Sequence, residues 1–239
     1  MESQEKSLPK DIRHITYIAK DKWVLPIWGA INRAREEQRI PYPSKPQEQE
    51  ARNLGLSVSL KMEFVWHLMK LLGVELGNLS EFLNRTELLK PPYGNDVPTD
   101  IRDNILVFID ALIFELRTVI TLTEQVAKYC LRLTSLPSKA GTEWLKGRFD
   151  GKWRTLITDA RNLYTHESSP YIVVDFDRAP KYYDLLIPKK HPDEFKNTSD
   201  YYRLTCIRSA ANEMFRATDT LREEILQVIN NYNMSDVKN

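Results

Sequence analysis

A mainly α protein, built as a helical bundle with an N-terminal helical extension and one small β-hairpin near 171–187, is predicted from three observations. Apolar residues recur at helical spacing along most of the chain. β-prone runs are confined to one short stretch. The 239 residues include only 8 glycines, so few positions accept positive φ and tight hairpins are scarce. No shift in composition marks two independent folding units, and the chain is expected to form one compact unit, with residues 1–98 as the extension and 99–239 as the bundle.

Residues 11–40 carry Ile12, Ile15, Ile18 or Ala19, Trp23, Ile27 and Ile31 at helical spacing, and Pro26 is expected to divide them into two short helices. The stretch 41–50 combines three prolines with polar residues and reads as a linker. A helix over 56–76, with a stripe of Leu60, Phe64, Leu68 and Leu71 or Leu72, precedes a short helix over 79–89 and a breaker at Pro91 to Asn95. Thr99 reads as the N-cap of a long central helix to about residue 135, its stripe running through Ile101, Ile105, Phe108, Ile109, Leu112, Leu116, Val119, Ile120 and Leu133. A helix over 142–167 follows, with Trp153, Leu156, Ile157, Ala160, Leu163 and Tyr164 as its core stripe. Tyr171 to Phe176 and Tyr182 to Ile187 read as the strands of the hairpin. A final helix over 199–232 aligns Tyr201, Leu204, Ile207, Ala211, Met214, Thr218, Leu221, Ile225, Val228 and Tyr232.

The net charge of +1, from 34 basic and 33 acidic side chains, supplies no overall field toward nucleic acid or anionic membrane, so any polyanion site must be local. Cys130 and Cys206 both fall within apolar helical patterns and are expected to be reduced, structural thiols. The start Met-Glu-Ser-Gln-Glu-Lys lacks the features of a signal peptide and no apolar run reaches bilayer length, which predicts a cytoplasmic protein without membrane contact. His14, His67, His166 and His191 are scattered, no Cys-x-x-Cys pair occurs, and phosphate-cradling glycine loops and a Gly-x-Ser-x-Gly elbow are missing. No metal or other cofactor is therefore expected.

Chemistry concentrates in Asp159-Ala160-Arg161-Asn162-Leu163-Tyr164-Thr165-His166-Glu167. At about 100° per residue, Asn162 and His166 share the outward face of the helix, and the long stem of Arg161 can carry its guanidinium round to them. An imidazole near its reference pKa can take a proton from a ribose 2′-OH or give one to a leaving 5′-oxygen. A guanidinium binds two phosphate oxygens and stabilises charge on the phosphorane, and Asn162 can orient the imidazole or contact phosphate. Such a reaction needs no metal, acts on RNA and leaves a 2′,3′-cyclic phosphate.

Arg161-Asn162-Leu163-Tyr164-Thr165-His166 resembles the signature of the HEPN family, an arginine, a polar residue and a histidine late on a helix, within residues 99–232. The resemblance implies an all-α bundle, a homodimer with two motifs facing across a cleft, and endoribonuclease activity in toxin or phage-defence systems under an antitoxin or other regulatory protein. It implies Arg161, Asn162 and His166 as the catalytic residues. A non-catalytic interaction or RNA-binding module of the same fold, acting as a dimer, is the alternative, with Arg161 paired to Asp159 or Glu167 and His166 capping the helix.

Secondary candidates for substrate binding surround the motif. Lys152 and Arg154 belong to a local basic excess over 139–161 that either tracks an RNA backbone or forms a solvated face. Tyr164, with Tyr171, Tyr182 and Tyr183, either stacks on unpaired bases or packs the hairpin. Glu115 either reaches the Arg161 side or satisfies another semi-buried partner.

Overall fold

The structure, a computed structural model, describes residues 23–42, 44–86, 97–134, 138–166, 173–176, 183–191 and 194–232, without the side chains of 50–52, 55–56, 138–139 and 164–166. Its elements are α1 (Val24–Glu36), α2 (Lys45–Arg85), α3 (Thr99–Leu133), α4 (Ser138–Arg148), α5 (Lys152–His166), β1 (Val173–Asp175), β2 (Asp184–Pro188), β3 (Tyr201–Arg203) and α6 (Leu204–Asn231). It is mainly helical, with a small antiparallel sheet ordered β1-β2-β3. One apolar core runs from Trp23 to Ile229 and draws on all six helices. Among the described residues no helix is long and apolar enough to cross a membrane.

Three expectations at the N-terminal side are corrected. Pro26 lies in the first turn of α1, where a missing N–H costs no hydrogen bond, so it divides nothing; the part of the predicted segment before Trp23 lies outside the described residues. The expected linker contributes the start of α2 instead. The Ser44 N–H donates to Gln47 Oε1 at 3.0 Å and Pro46 occupies the first turn, so its proline opens a helix. α2 then continues for 41 residues, merging the two helices predicted over 56–89.

α2 and α3 form an antiparallel hairpin whose register is marked by Lys61 to Glu115 at 2.7 Å and Asn104 to Glu75 at 3.1 Å. Val58, Val65, Leu72 and Leu79 of α2 are buried at a heptad spacing suited to lying along a second helix, with Ser59 and Leu83 buried beside them. Of the expected stripe, Leu72 is buried and Leu60 and Leu68 are partly buried, whereas Phe64 and the alternative Leu71 face outward, because α2 is apolar on two sides. Phe64 and Leu71 are exposed, and Val74 with Val107 and Phe114 of α3 extends that outer apolar strip. On α3 the expected core positions Ile105, Ile109, Leu112, Leu116, Val119 and Ile120 are buried; the helix starts at Thr99 with Pro98 as its N-cap, one residue earlier than predicted.

The hairpin pairs Val173 with Leu186 and Val174 with Leu185, and a third strand, not predicted, pairs Leu186 with Arg203 and Ile187 with Tyr202. Those residues were expected to begin the last helix, which instead starts at Leu204. Its buried face matches the predicted stripe through Ile225, then turns to Ile229 rather than Val228. Cys130 is buried and its thiol is pushed up to about 12 by desolvation, keeping it neutral, whereas Cys206 is exposed and not a core residue.

α6 carries no acidic residue in its first turn and no basic residue in its last. Both ends are completed by side chains from elsewhere. Asp184, buried in β2, accepts the Thr205 N–H at 3.3 Å and the Thr205 hydroxyl at 2.7 Å, and Arg203 bridges Asp184 and Asp175 across the sheet. The Arg39 guanidinium donates to the carbonyls of Ile229 and Tyr232, each at 2.9 Å. Asp184→Ala strands Thr205 and one face of Arg203, and it is expected to cost about 2–4 kcal/mol. Asp184→Asn, which keeps one acceptor, is expected to cost less. Urea denaturation midpoints of the two variants check this ordering.

Candidate functional site

The expected single helix over 142–167 is broken into α4 and α5 at Phe149-Asp150-Gly151. Phe149 is buried, the Asp150 carboxylate accepts the Gly151 N–H at 2.8 Å, and a side chain at Gly151 would meet the Trp153 indole at 2.8 Å. Only glycine leaves room for that ring. Arg154 then locks the start of α5. It donates to the Phe149 carbonyl at 2.9 Å and pairs through its other nitrogen with Glu124 of α3.

With Arg154 beside Glu124, α5 runs antiparallel to α3, and two turns later Arg161 reaches the level of Arg117 to Thr121. Phe114, Arg117, Thr118, Thr121 and Gln125 of α3 and Arg161 of α5 line an open groove of about 380 Å³. Arg117 was not singled out in the sequence. One of its terminal nitrogens is buried without a hydrogen-bond partner. The hydroxyls of Thr118 and Thr121 donate back to the Phe114 and Arg117 carbonyls at 3.0 and 3.1 Å, so their protons are committed to the helix. Among the described residues lining the groove there is no carboxylate. Two arginines therefore line one concavity whose described wall carries no carboxylate, and Arg161 is also engaged in an interaction of its own within the protein.

The predicted residues are distributed as follows. Arg161 is half-buried and lines the groove. Asn162 is exposed, about 100° further round α5. His166 is the last residue of α5, about 7.5 Å along the axis from Arg161, and its side chain, like that of Tyr164, lies outside the described residues. Lys152 is exposed at the opposite end of α5. Arg154 serves as the structural tie just described, and Arg148 stacks over Trp144 and pairs with Glu224 at 2.8 Å, so these basic residues are engaged within the protein. Glu115 does not reach toward Arg161. It faces α2, where Lys61 takes its Oε1 at 2.7 Å. Tyr183 donates to Asn84 at 2.7 Å and packs edge-on against Phe176, tying the hairpin to α2; Tyr171 and Tyr182 lie outside the described residues.

Among the described residues no group of histidine, cysteine and carboxylate side chains is arranged to hold a metal ion. No family model, curated protein or solved structure matches this chain.

The Glu124–Arg154 pair is partly buried and Arg154 also donates to the Phe149 carbonyl, so Arg154→Met is expected to destabilise the fold by about 2 kcal/mol. Glu124→Gln should cost a similar amount, and the double variant less than the sum. A coupling near zero in a double-mutant cycle by chemical denaturation would show that the pair does not set the α3–α5 register.

Proposed function

We propose that the C-terminal half of α5 is the active site of a HEPN-like, metal-independent endoribonuclease, with Arg161, Asn162 and His166 as its catalytic residues. The observation that carries this reading is the position of Arg161. It opens, together with a second guanidinium, onto a groove large enough for a nucleotide, one turn before the imidazole-bearing end of the same helix.

In this mechanism the His166 imidazole takes the proton of a ribose 2′-OH, and the freed oxygen attacks the adjacent phosphorus. The 5′-oxygen leaves with a proton from an acid on the opposite side, and the product is a 2′,3′-cyclic phosphate. Arg161 neutralises charge growing on the equatorial oxygens. Attack and departure lie in line on opposite sides of phosphorus, where one imidazole cannot serve both. A homodimer that brings two copies of the motif together supplies the second. The setting is a toxin or phage-defence system in which an antitoxin or other protein restrains the nuclease.

A second reading, a non-catalytic module acting as a dimer, draws on the outer apolar strip of Phe64, Leu71, Val74 and Val107 on α2 and α3. Contiguous exposed apolar surface on a helical hairpin marks a protein contact, and a second copy is its occupant here. Leu71→Glu with Val107→Glu should convert a dimer to a monomer by light scattering; a dimer unchanged by both charges would move the contact elsewhere.

The ribonuclease reading is tested with structured and unstructured RNA in excess chelator. Cleavage leaving cyclic phosphate ends is expected to fall by about 10²–10⁴-fold in His166→Ala, and equal cleavage by both proteins would reject the assignment.

A further inference from the structure

We propose that Asp110 of α3 is the positioning carboxylate for His166: it accepts one imidazole N–H, so that the other ring nitrogen is held toward the ribose 2′-OH. This rests on the ribonuclease reading for the role of His166, while its evidence lies on α3 and in the register of α5 against it.

That register brings the two positions to one level. α5 runs antiparallel to α3 and is fixed to it where Arg154 meets Glu124. One heptad further along each helix, Arg161 and Arg117 line the same groove, so the two helices keep step. Asp110 stands another heptad before Arg117, about 21 Å along α3 from Glu124. His166, the last residue of α5, lies about 18 Å along that helix from Arg154. Their levels therefore differ by about 3 Å.

The face is right as well as the level. A heptad drifts only about 20° round a helix, so Glu124, Arg117 and Asp110 share the side of α3 that meets α5. Their exposure agrees: Glu124 and Arg117 are half-buried, whereas Asp110, level with the last turn of α5, is exposed. Packed helices lie about 8–10 Å apart, a gap that an aspartate and a histidine side chain span together.

The reaction calls for such a group. A neutral imidazole acts as a base only through the nitrogen that carries no proton, and the acceptor on its other nitrogen decides which one that is. A carboxylate there fixes the tautomer and stabilises the imidazolium once the 2′-OH proton has moved to it. Asp110 is free for this role. Among the described residues it makes no hydrogen bond or ion pair, whereas Glu115 is held by Lys61, Asp103 by Arg102, and Asp175 and Asp184 by Arg203.

The test reads the imidazole directly, in the isotopically labelled full chain. Long-range proton–nitrogen spectra at alkaline pH report which ring nitrogen of each neutral histidine carries the proton, and His166→Ala assigns the signal. His166 is expected to hold a single tautomer. Asp110→Ala should convert it to a mixture, and Asp110→Glu should keep it. Chelator-resistant RNA cleavage by Asp110→Ala should lose about 10- to 100-fold in kcat with KM changed by less than about 2-fold, and Asp110→Glu should recover most of the loss. Asp110 lies outside the buried core, and unchanged thermal midpoints confirm folding. A tautomer unchanged in Asp110→Ala, or a changed tautomer with kcat at the parent value, would overturn the assignment. If RNA is cut while the tautomer ignores Asp110, the positioning role fails and the nuclease stands. If nothing is cut but Asp110→Ala releases the tautomer, the nuclease fails and the pairing of Asp110 with His166 stands.

Discussion

α6 is a helix whose own sequence leaves both ends electrostatically incomplete, and the rest of the fold is arranged around completing it. Its first turn has no acid and its last no base. Unsatisfied N–H groups and carbonyls at such ends carry the partial charges of the helix dipole. Asp184 arrives from the central strand of the sheet and Arg39 from the turn after α1, and each is worth roughly 1–2 kcal/mol in such a position. Because α1, α3, α5 and the sheet all pack on α6, these two polar contacts fix where the N-terminal helix and the hairpin sit on the bundle. Gln38 takes the left-handed conformation, φ 57°, in the turn that delivers Arg39. A residue with a side chain pays for that conformation, and the three-carbonyl grip of Arg39 offsets it.

The groove depends on a second constraint, the break between α4 and α5. Were residues 142–167 one straight helix, the face bearing Trp153 and Ile157 would not return to α3. The glycine demanded by the Trp153 ring stands immediately before α5, and Arg154 clamps the new helix at Glu124. Two turns of α5 then carry this register to Arg161. The pairing of Arg161 with Arg117 across the groove is thus set by contacts about 10 Å away, which never touch whatever binds there.

How much of this was legible in the sequence follows from what each signal encodes. The α5 and α6 stripes could be read because each is apolar on one face only, and that of α3 because its buried stripe is long and continuous although Val107 and Phe114 face outward. α2 could not, because Phe64 and Leu71 repeat with the same period as Val65 and Leu72, and periodicity alone does not say which face meets a partner. The prolines at 41, 43 and 46 read as breakers because composition gives no direction, whereas Ser44 followed by Pro46 and Gln47 is a helix start. β3 is three residues long, too short for alternation to register. In the candidate site, Arg161 stood out because a nearby polar residue and histidine accompany it. Arg117 did not: it lies among apolar residues of the central helix, and only the packing of α5 against α3 reveals what it faces.

The charge distribution narrows what the groove can recognise. With a net charge of +1 there is no long-range field to gather a polyanion. The basic residues on α4 and the start of α5 that might have formed a track are spent, Arg148 on Glu224 and Arg154 on Glu124. Arg117, Arg161 and Phe114 line the groove itself, and Arg161 too is engaged within the protein. A polyanion held so locally would gain little from its repeated backbone charge. Under the ribonuclease proposal, the low net charge therefore means that a substrate would be selected by contacts at close range and not gathered by a long-range field.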